Sequence, residues 1–252
     1  SKQSFRDFII YTYDDCSSDN TLRLFHSLCT KLDMQYVRLT SRRRNVGFYT
    51  SYSILLEAAV KFKYIFLCDH DDVWMPEKVL SQLTCLERSS SSPSLVISNA
   101  YIQDSYTAML PVLSNSLGLS SAYLRSCFSI VDPRVPGFCM AINDMLLSKV
   151  LPLPPSIRFH DQHIFRVARR VHASITFLEE PSAFYRLHNA NTIGISKRRI
   201  FSHTFVRNYL RDILSDCHDI CISLRIPLFL LPLFFPLRIL HSLFNCFTSV
   251  DD

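Results

Sequence analysis

Along this chain, short apolar runs alternate with amphipathic stretches, and several of the runs end in acids. Residues 7–13 (DFIIYTY) are rich in β-favouring types and stop at Asp14 and Asp15. Leu22, Phe25, Leu28 and Cys29 then recur at three- and four-residue steps, which predicts a helix with Ser18 or Asp19 as its N-cap. Residues 35–39 predict a short strand, and Tyr52, Leu55, Leu56 and Ala59 mark the next helix. The run 64–68 (YIFLC) is too short for a typical helix, reads as a buried strand of a parallel sheet, and empties into Asp69, Asp71 and Asp72. Pro76 and Glu77 suit the first turn of the helix that follows, where a missing N–H costs nothing and a negative charge meets the positive end of the dipole.

The second half repeats the pattern. Residues 95–98 predict another buried strand, and 101–119, which have no clear period, a variable loop on the binding side. Residues 136–142 supply a turn and then a strand, 143–150 a helix, and the prolines of 151–155 break it. A helix opens at 159–163 (FHDQH) and carries Ile164, Val167, Ala168 and Val171; strands are predicted over 174–178 and 183–187. Strands alternating with helices predict an α/β fold with a mostly parallel central sheet flanked by helices. Acids at the carboxyl ends of its strands lie where open α/β sheets place ligands.

Composition narrows the classes. At 252 residues, 48% hydrophobic and 19% charged, the chain is globular with ample core. A formal charge of +5 with acids and bases mixed gives little support to a nucleic-acid partner. Nine cysteines without tight paired spacing read as small buried hydrophobes in a reducing compartment. Cys217 and Cys221, at i,i+4 with His218 between them, lack the two further ligands a structural zinc site needs. The chain opens at Ser1 without an initiator Met and enters a strand within a few residues, so a fragment lacking an upstream strand and helix is expected.

Past Thr192 the character changes. Lys197-Arg198-Arg199 is basic, and 224–247 is mostly aliphatic and aromatic, broken by Pro227, Pro232 and Pro236. The apolar run 226–237 is too short to span a bilayer and is flanked by Arg225 and Arg238; it either lies against a membrane surface or packs on the domain as a terminal helix pair. The expected division is therefore a ligand-binding domain over 1–195 and a basic, apolar helical segment over 196–252.

Three acids within four positions repel one another, and a divalent cation removes the conflict. In an extended segment Asp69 and Asp71 project to the same side and can share Mg²⁺ or Mn²⁺, which in turn grips a diphosphate. The alternative is an acidic loop that caps the next helix through Asp71 or Asp72. The basic turn Arg42-Arg43-Arg44-Asn45-Val46-Gly47 either meets phosphate or is a solvated loop.

DDCSSDNT at 14–21, RNVG at 44–47, CDHDDVWMPEK at 68–78, PGFCMAIN at 136–143, HDQ at 160–162 and YRLHNANTIG at 185–194 resemble, in order and spacing, glycosyltransferase family 2, and within it the bacterial rhamnosyltransferase-like members. The resemblance covers roughly residues 4–194. It implies a GT-A fold, here without its first strand, and a metal-dependent inverting transfer of a sugar, rhamnose among the options, from a dTDP- or UDP-sugar. The implied acceptor is a glycan or lipid-linked glycan in surface polysaccharide synthesis, with the protein cytoplasmic or peripheral on the cytoplasmic face of the inner membrane. A catalytically inactive nucleotide-sugar or glycan-binding module is the alternative.

Carried over by position, Asp15 with Asp14 matches the acid that accepts the imide N–H of a uracil or thymine base, and Arg44 and Asn45 match the turn near the nucleotide and diphosphate. Asp69 matches the acid near ribose and metal, and Asp71 the acid that coordinates the ion. Asp72 and Trp74 match the end of that motif, with Trp74 as a wall of the sugar pocket. Gly137 matches a turn on the acceptor side and Asp161 the general base, with His160 beside it as the other candidate. Arg186 and His188 match a segment near the diphosphate, His188 as a further metal ligand. Cys16 stands where the family has Gly, and Gln162 where it has an aromatic residue.

Overall fold

This computed structural model describes residues 2–40, 44–103, 112–187 and 203–230. β1 (Ile10–Asp14) leads through α1 (Thr21–Lys31) to β2 (Tyr36–Thr40), its parallel partner in a two-stranded sheet, and α2 (Phe48–Ala58) follows. Next come β3 (Tyr64–Phe66), β4 (Val73–Trp74), α3 (Lys78–Arg88) and β5 (Ser94–Gln103). Three short helices, α4 (Leu113–Leu117), α5 (Ser121–Arg125) and α6 (Phe128–Val131), precede a 3₁₀ turn at Gly137–Cys139 and β6 (Met140–Asn143). The rest is α7 (Asp144–Val150), α8 (His160–Arg170), β7 (Ser174–Arg186) and α9 (His203–Leu224).

Helices do cover a central α/β sheet, but that sheet is mixed where a mostly parallel one was expected. Its order is β3-β6-β5-β7-β4, and only β5 and β7 run parallel within it. β6, reached from β5 through a long connection that carries three short helices and a 3₁₀ turn, runs antiparallel to both β3 and β5. The strands expected at 174–178 and 183–187 are one strand, β7. Pro181, which has no N–H to give the ladder, sits where the register with β5 shifts, and Asn99 bridges the break by donating to the Glu179 carbonyl at 2.7 Å. The stretch 101–119 is not a loop throughout, since β5 runs on to Gln103 and α4 occupies Leu113–Leu117. At α1 the N-cap is Asn20, while Asp19 accepts the Thr21 N–H at 2.9 Å.

The core lies between β5, β6 and the helices over them. Leu95, Ile97, Met140, Ile142, Leu146, Ile164 and Phe165 are completely buried. α9 docks on this body: Cys217, Ile220 and Cys221 are buried, the Asp219 carboxylate accepts the Arg158 N–H at 3.0 Å, and Ser223 Oγ pairs with His163 Nδ1 at 2.9 Å. The two cysteines thus fill a packing interface. Among the described residues no helix is long and apolar enough to cross a membrane. Of the apolar segment 224–247, the part from 231 onward lies outside the described residues.

Candidate active site

The site is built from loops at one end of the strands. β1 ends at buried Asp14, whose Oδ1 accepts the Ser17 N–H at 3.3 Å and tightens the loop. Asp15 reaches across to the turn before α2, where its two carboxylate oxygens accept the N–H groups of Val46 and Gly47, each at 2.7 Å. Asn45 Nδ2 donates to the Asp15 carbonyl at 3.1 Å. Two bonds of this kind hold the carboxylate with its remaining lone pairs free for a ligand. Gly47, at φ +84°, occupies backbone space closed to a side chain, so glycine is needed there. Arg44 and Asn45 are exposed beside it.

α2 carries the connection inward. Tyr52 lies on its first turns and donates its hydroxyl to Asp69 Oδ1 at 2.5 Å, just beyond the end of β3. Asp69, Asp71 and Asp72 then cluster. Burial raises the Asp69 carboxyl above its ordinary value, with Tyr52 opposing. Burial, and after it the charges of Asp69 and Asp71, push Asp72 up to about 7. Arg186, at the end of β7, closes over the cluster: its N–H reaches Asp72 Oδ1 at 3.3 Å and its Nε donates to the Asp71 carbonyl. Behind the acids, Lys78 is completely buried, donates to Ser98 Oγ, and sits 5.2 Å from the centre of the Trp74 ring. Burial lowers its pKa.

The other wall of the site is the start of α8. His160 and Asp161 open the helix, and Asp161 Oδ1 accepts the Gln162 N–H at 2.7 Å. Burial pushes Asp161 up to about 6, against the N–H groups of Gln162 and Gly137. His160 is 6% exposed, its ring stacked on Tyr52 at 3.7 Å, and burial holds it neutral by lowering its pKa to about 4. A Cβ on Gly137 would come within 2.8 Å of His160 Nε2 and 3.7 Å of Asp161 Cβ, so glycine at 137 is a steric requirement of the turn facing α8.

The fold therefore brings Asp69, Asp71, Asp72, Trp74, Arg186, Gly137, His160 and Asp161 around one region. Asp15 and Asn45 are joined to it through α2. His188 lies outside the described residues. Buried polar atoms without a hydrogen-bond partner concentrate here: Asp72 Oδ2, Trp74 Nε1 and both nitrogens of His160. Such atoms are costly unless a ligand or water completes them. Sequence reasoning assigned no site role to Tyr52 or Lys78. Tyr52 was indistinguishable from a core aromatic of an amphipathic helix, but Lys78 left a signal: with Gln82 and Leu86 it forms an i,i+4 line, and all three are completely buried.

Among the described residues, no three His, Cys, Asp or Glu side chains converge on a metal-sized point. The donor set nonetheless suits Mg²⁺ or Mn²⁺, since these hard ions take one or two carboxylates and complete their shell with substrate phosphate and water. Asp72 Oδ2, buried and unpartnered, is such an oxygen.

Comparison with known proteins agrees with this geometry. The solved structure of S. aureus TarS 1–349 is similar to the chain with a TM-score of 0.58 and 14% identity, covering 88% of this chain and 63% of that one. The same TarS fragment in complex with UDP gives 0.55 and 17%, covering 86% and 58%. The mannosyltransferase PcManGT from Pyrobaculum calidifontis, in complex with GDP-Man and Mn²⁺, gives 0.58 and 14%, covering 95% and 63%. The chain thus spans less than two thirds of each of these proteins, and the likeness establishes the GT-A fold. No curated protein matches the chain by sequence. The family model for glycosyl transferase family 2 matches residues 1–149, the segment that carries Asp15, the acid cluster and Gly137, and the chain belongs to that family.

Proposed function

We propose that this protein is a metal-dependent inverting glycosyltransferase that moves a hexose from a nucleoside-diphosphate donor to an acceptor hydroxyl. The observation that carries the reading is a desolvated carboxylate, Asp161, close enough to the acid cluster to act on Asp69, with unpartnered polar atoms on both sides among the described residues, Asp72 Oδ2 in the cluster and the His160 nitrogens beside Asp161. The UDP complex of TarS and the GDP-Man and Mn²⁺ complex of PcManGT support a nucleotide-sugar donor.

In this reading the Asp15 loop holds the base and Arg44 and Asn45 flank the diphosphate. Asp71 and Asp69 would hold Mg²⁺ or Mn²⁺, with His188 as a further ligand, and Asp72 would line the donor pocket beside them. When bound, the ion neutralises charge building on the leaving diphosphate. Arg186 adds positive charge on the same side, and Trp74 walls the sugar pocket. Asp161 takes the proton of the acceptor hydroxyl as that oxygen attacks the anomeric carbon opposite the leaving group, so configuration inverts. His160 is unsuited to that role, because burial depresses its basicity to a pKa of about 4.

Rhamnose, a dTDP- or UDP-donor and a glycan or lipid-linked acceptor of a surface polysaccharide are the substrates that the rhamnosyltransferase-like motifs favour. Contact of 224–247 with a membrane surface fits the same acceptor class. Its described part exposes Leu228 and Phe229, 51% and 79% accessible, next to Arg225.

A panel of dTDP-, UDP- and GDP-sugars with Mg²⁺ or Mn²⁺ tests the proposal, with nucleoside diphosphate release as the measurement. Wild type releases nucleotide from one donor class, and Asp71→Ala loses metal-dependent donor binding. Cation-independent release, or nucleotide binding without turnover in any acceptor extract, would sink it in favour of a binding module.

A further inference from the structure

One aromatic side chain touches both halves of this site. Tyr52 donates its hydroxyl to Asp69 Oδ1 at 2.5 Å, with the Cys68 carbonyl next to it at 3.2 Å. The face of the same ring lies on the His160 imidazole, the centroids 3.7 Å apart and the planes within 15°. His160 is in turn the neighbour of Asp161 on the first turn of α8.

What fixes His160 is unusual. Its two ring nitrogens, both buried, have no hydrogen-bond partner among the described residues, so none of these anchors the ring by a polar contact. Stacking holds one side. At the ring's edge, Nε2 is so close to Gly137 that a Cβ there would stand 2.8 Å away. A ring held by shape alone follows whatever moves the shape, and close-packed interiors pass displacement along instead of absorbing it. Because the two rings are already in contact, a shift of the Tyr52 ring is felt at His160, the neighbour of Asp161.

We propose that Tyr52 and His160 are positioning residues that link the occupancy of Asp69 to the placement of Asp161, so that the acceptor carboxylate is set when nucleoside diphosphate and cation arrive. This rests on the transferase reading above. Binding changes what Asp69 offers the phenol, since an oxygen shared with a cation or ribose is a different hydrogen-bond acceptor from one facing water. The Tyr52 ring adjusts, the imidazole follows, and the adjacent Asp161 takes up its working position. The energy transmitted is the difference in Tyr52–Asp69 bonding between free and loaded states, and no more.

Two reporters separate the links. Trp74 is the only tryptophan of the chain, so intrinsic fluorescence reads nucleotide arrival at the acid cluster. The imidazole signals of ¹⁵N-histidine, with His160 assigned from the spectrum of His160→Phe, read the acceptor side. UDP, dTDP and GDP are each added with Mg²⁺. In wild type the binding nucleotide changes Trp74 emission and shifts the His160 ring signals together. In Tyr52→Phe, which keeps the ring and loses the hydroxyl, Trp74 still responds with affinity about tenfold weaker, and the His160 shift disappears. A wild-type Trp74 response with a silent His160 overturns the coupling without touching the donor site. So does a His160 shift that survives in Tyr52→Phe. If no nucleotide moves either reporter, the transferase reading itself falls.

Discussion

The half of the molecule that holds Asp15 and the half that holds Asp161 are built differently. Over β1, α1, β2 and α2 the buried apolar side chains are Cys29, Leu56 and neighbouring Ala59, while Ile9, Leu24, Leu28, Leu32, Val37 and Phe48 are exposed. In the five-stranded sheet and its helices, β5, β6, α7 and α8 contribute a continuous run of completely buried residues. The first half holds its key carboxylate by hydrogen bonds from a turn, Val46 and Gly47 to Asp15. The second seats Asp161 against the packed turn at Gly137 and the His160 ring, where hydrogen bonds from Gln162 and Gly137 only partly offset desolvation. Under the proposed function, a nucleotide loop tolerates the first construction, and a proton acceptor that must meet a hydroxyl within tenths of an ångström calls for the second.

The largest effect should come from Asp161→Asn. Loss of a general base lowers transfer by roughly 10²–10⁴-fold, while nucleotide affinity read at Trp74 stays within about twofold, a change worth less than ~0.5 kcal/mol. The same variant should melt higher at pH 7.5. Burial raises the folded pKa of Asp161 to about 6 from 3.8, so the folded state binds the proton more tightly than the unfolded one and stability falls as pH rises through that interval. Asparagine removes the cost, at most about 3 kcal/mol. Normal transfer by Asp161→Asn would show that the packed half does not hold the base.

Next in size is the contrast in packing itself. Ile97→Ala, at a completely buried position of β5, should cost about 2–5 kcal/mol in denaturant midpoint measurements. Leu28→Ala, at a position 45% exposed on α1, should cost no more than about 0.5–1 kcal/mol. Comparable losses at the two sites would erase the distinction between the halves.

Much of this division was legible in the sequence, for reasons that differ by region. The acid ends of β1 and β3 could be read because an apolar run that stops at aspartates has few other meanings, and the periodicity of α8 placed Asp161 in a first helical turn. β7 was read as two strands because Glu179-Glu180-Pro181 looks like a break, whereas the fold keeps pairing through it with help from Asn99, a partner 80 residues away. β4 is two residues long and too short for any period to show. The antiparallel insertion of β6 depends on how the chain enters it, which no local pattern encodes. Tyr52 escaped for a physical reason as well: its ring does pack like core, and only the tertiary position of Asp69 gives its hydroxyl a task.

The pH profile sharpens the comparison further, at about tenfold per unit. Turnover at saturating donor should fall below pH about 6 as Asp161 takes up a proton and can no longer accept one. The rate at low donor should carry a second contribution from Asp72, which burial and the neighbouring acids push up to about 7. Raising Mg²⁺ should move that second limb to lower pH and leave the first in place, because the ion favours an ionised Asp72 and does not touch Asp161. Two limbs that both shift with Mg²⁺ would assign them to one coupled cluster.

The smallest effect belongs to the nucleotide half. Cys16 is exposed and sits at φ +65°, a left-handed conformation that strains a residue with a Cβ. It follows Asp15 directly, so the strain lies in the loop that presents the Asp15 carboxylate. Glycine relieves it but widens the unfolded ensemble, and the two terms nearly offset. Cys16→Gly should therefore raise stability by no more than about 1 kcal/mol, whereas Cys16→Ala, which keeps the Cβ, should raise it not at all. Thermal melts of the two variants side by side decide the matter. In a loop held by hydrogen bonds, relief of one dihedral should leave nucleotide affinity unchanged; a loss of more than about 1 kcal/mol in Cys16→Gly, beyond the unfolded-state term, would mean that the contacts of the Cys16 side chain outweigh the strain and that this half is tighter than its exposed leucines suggest.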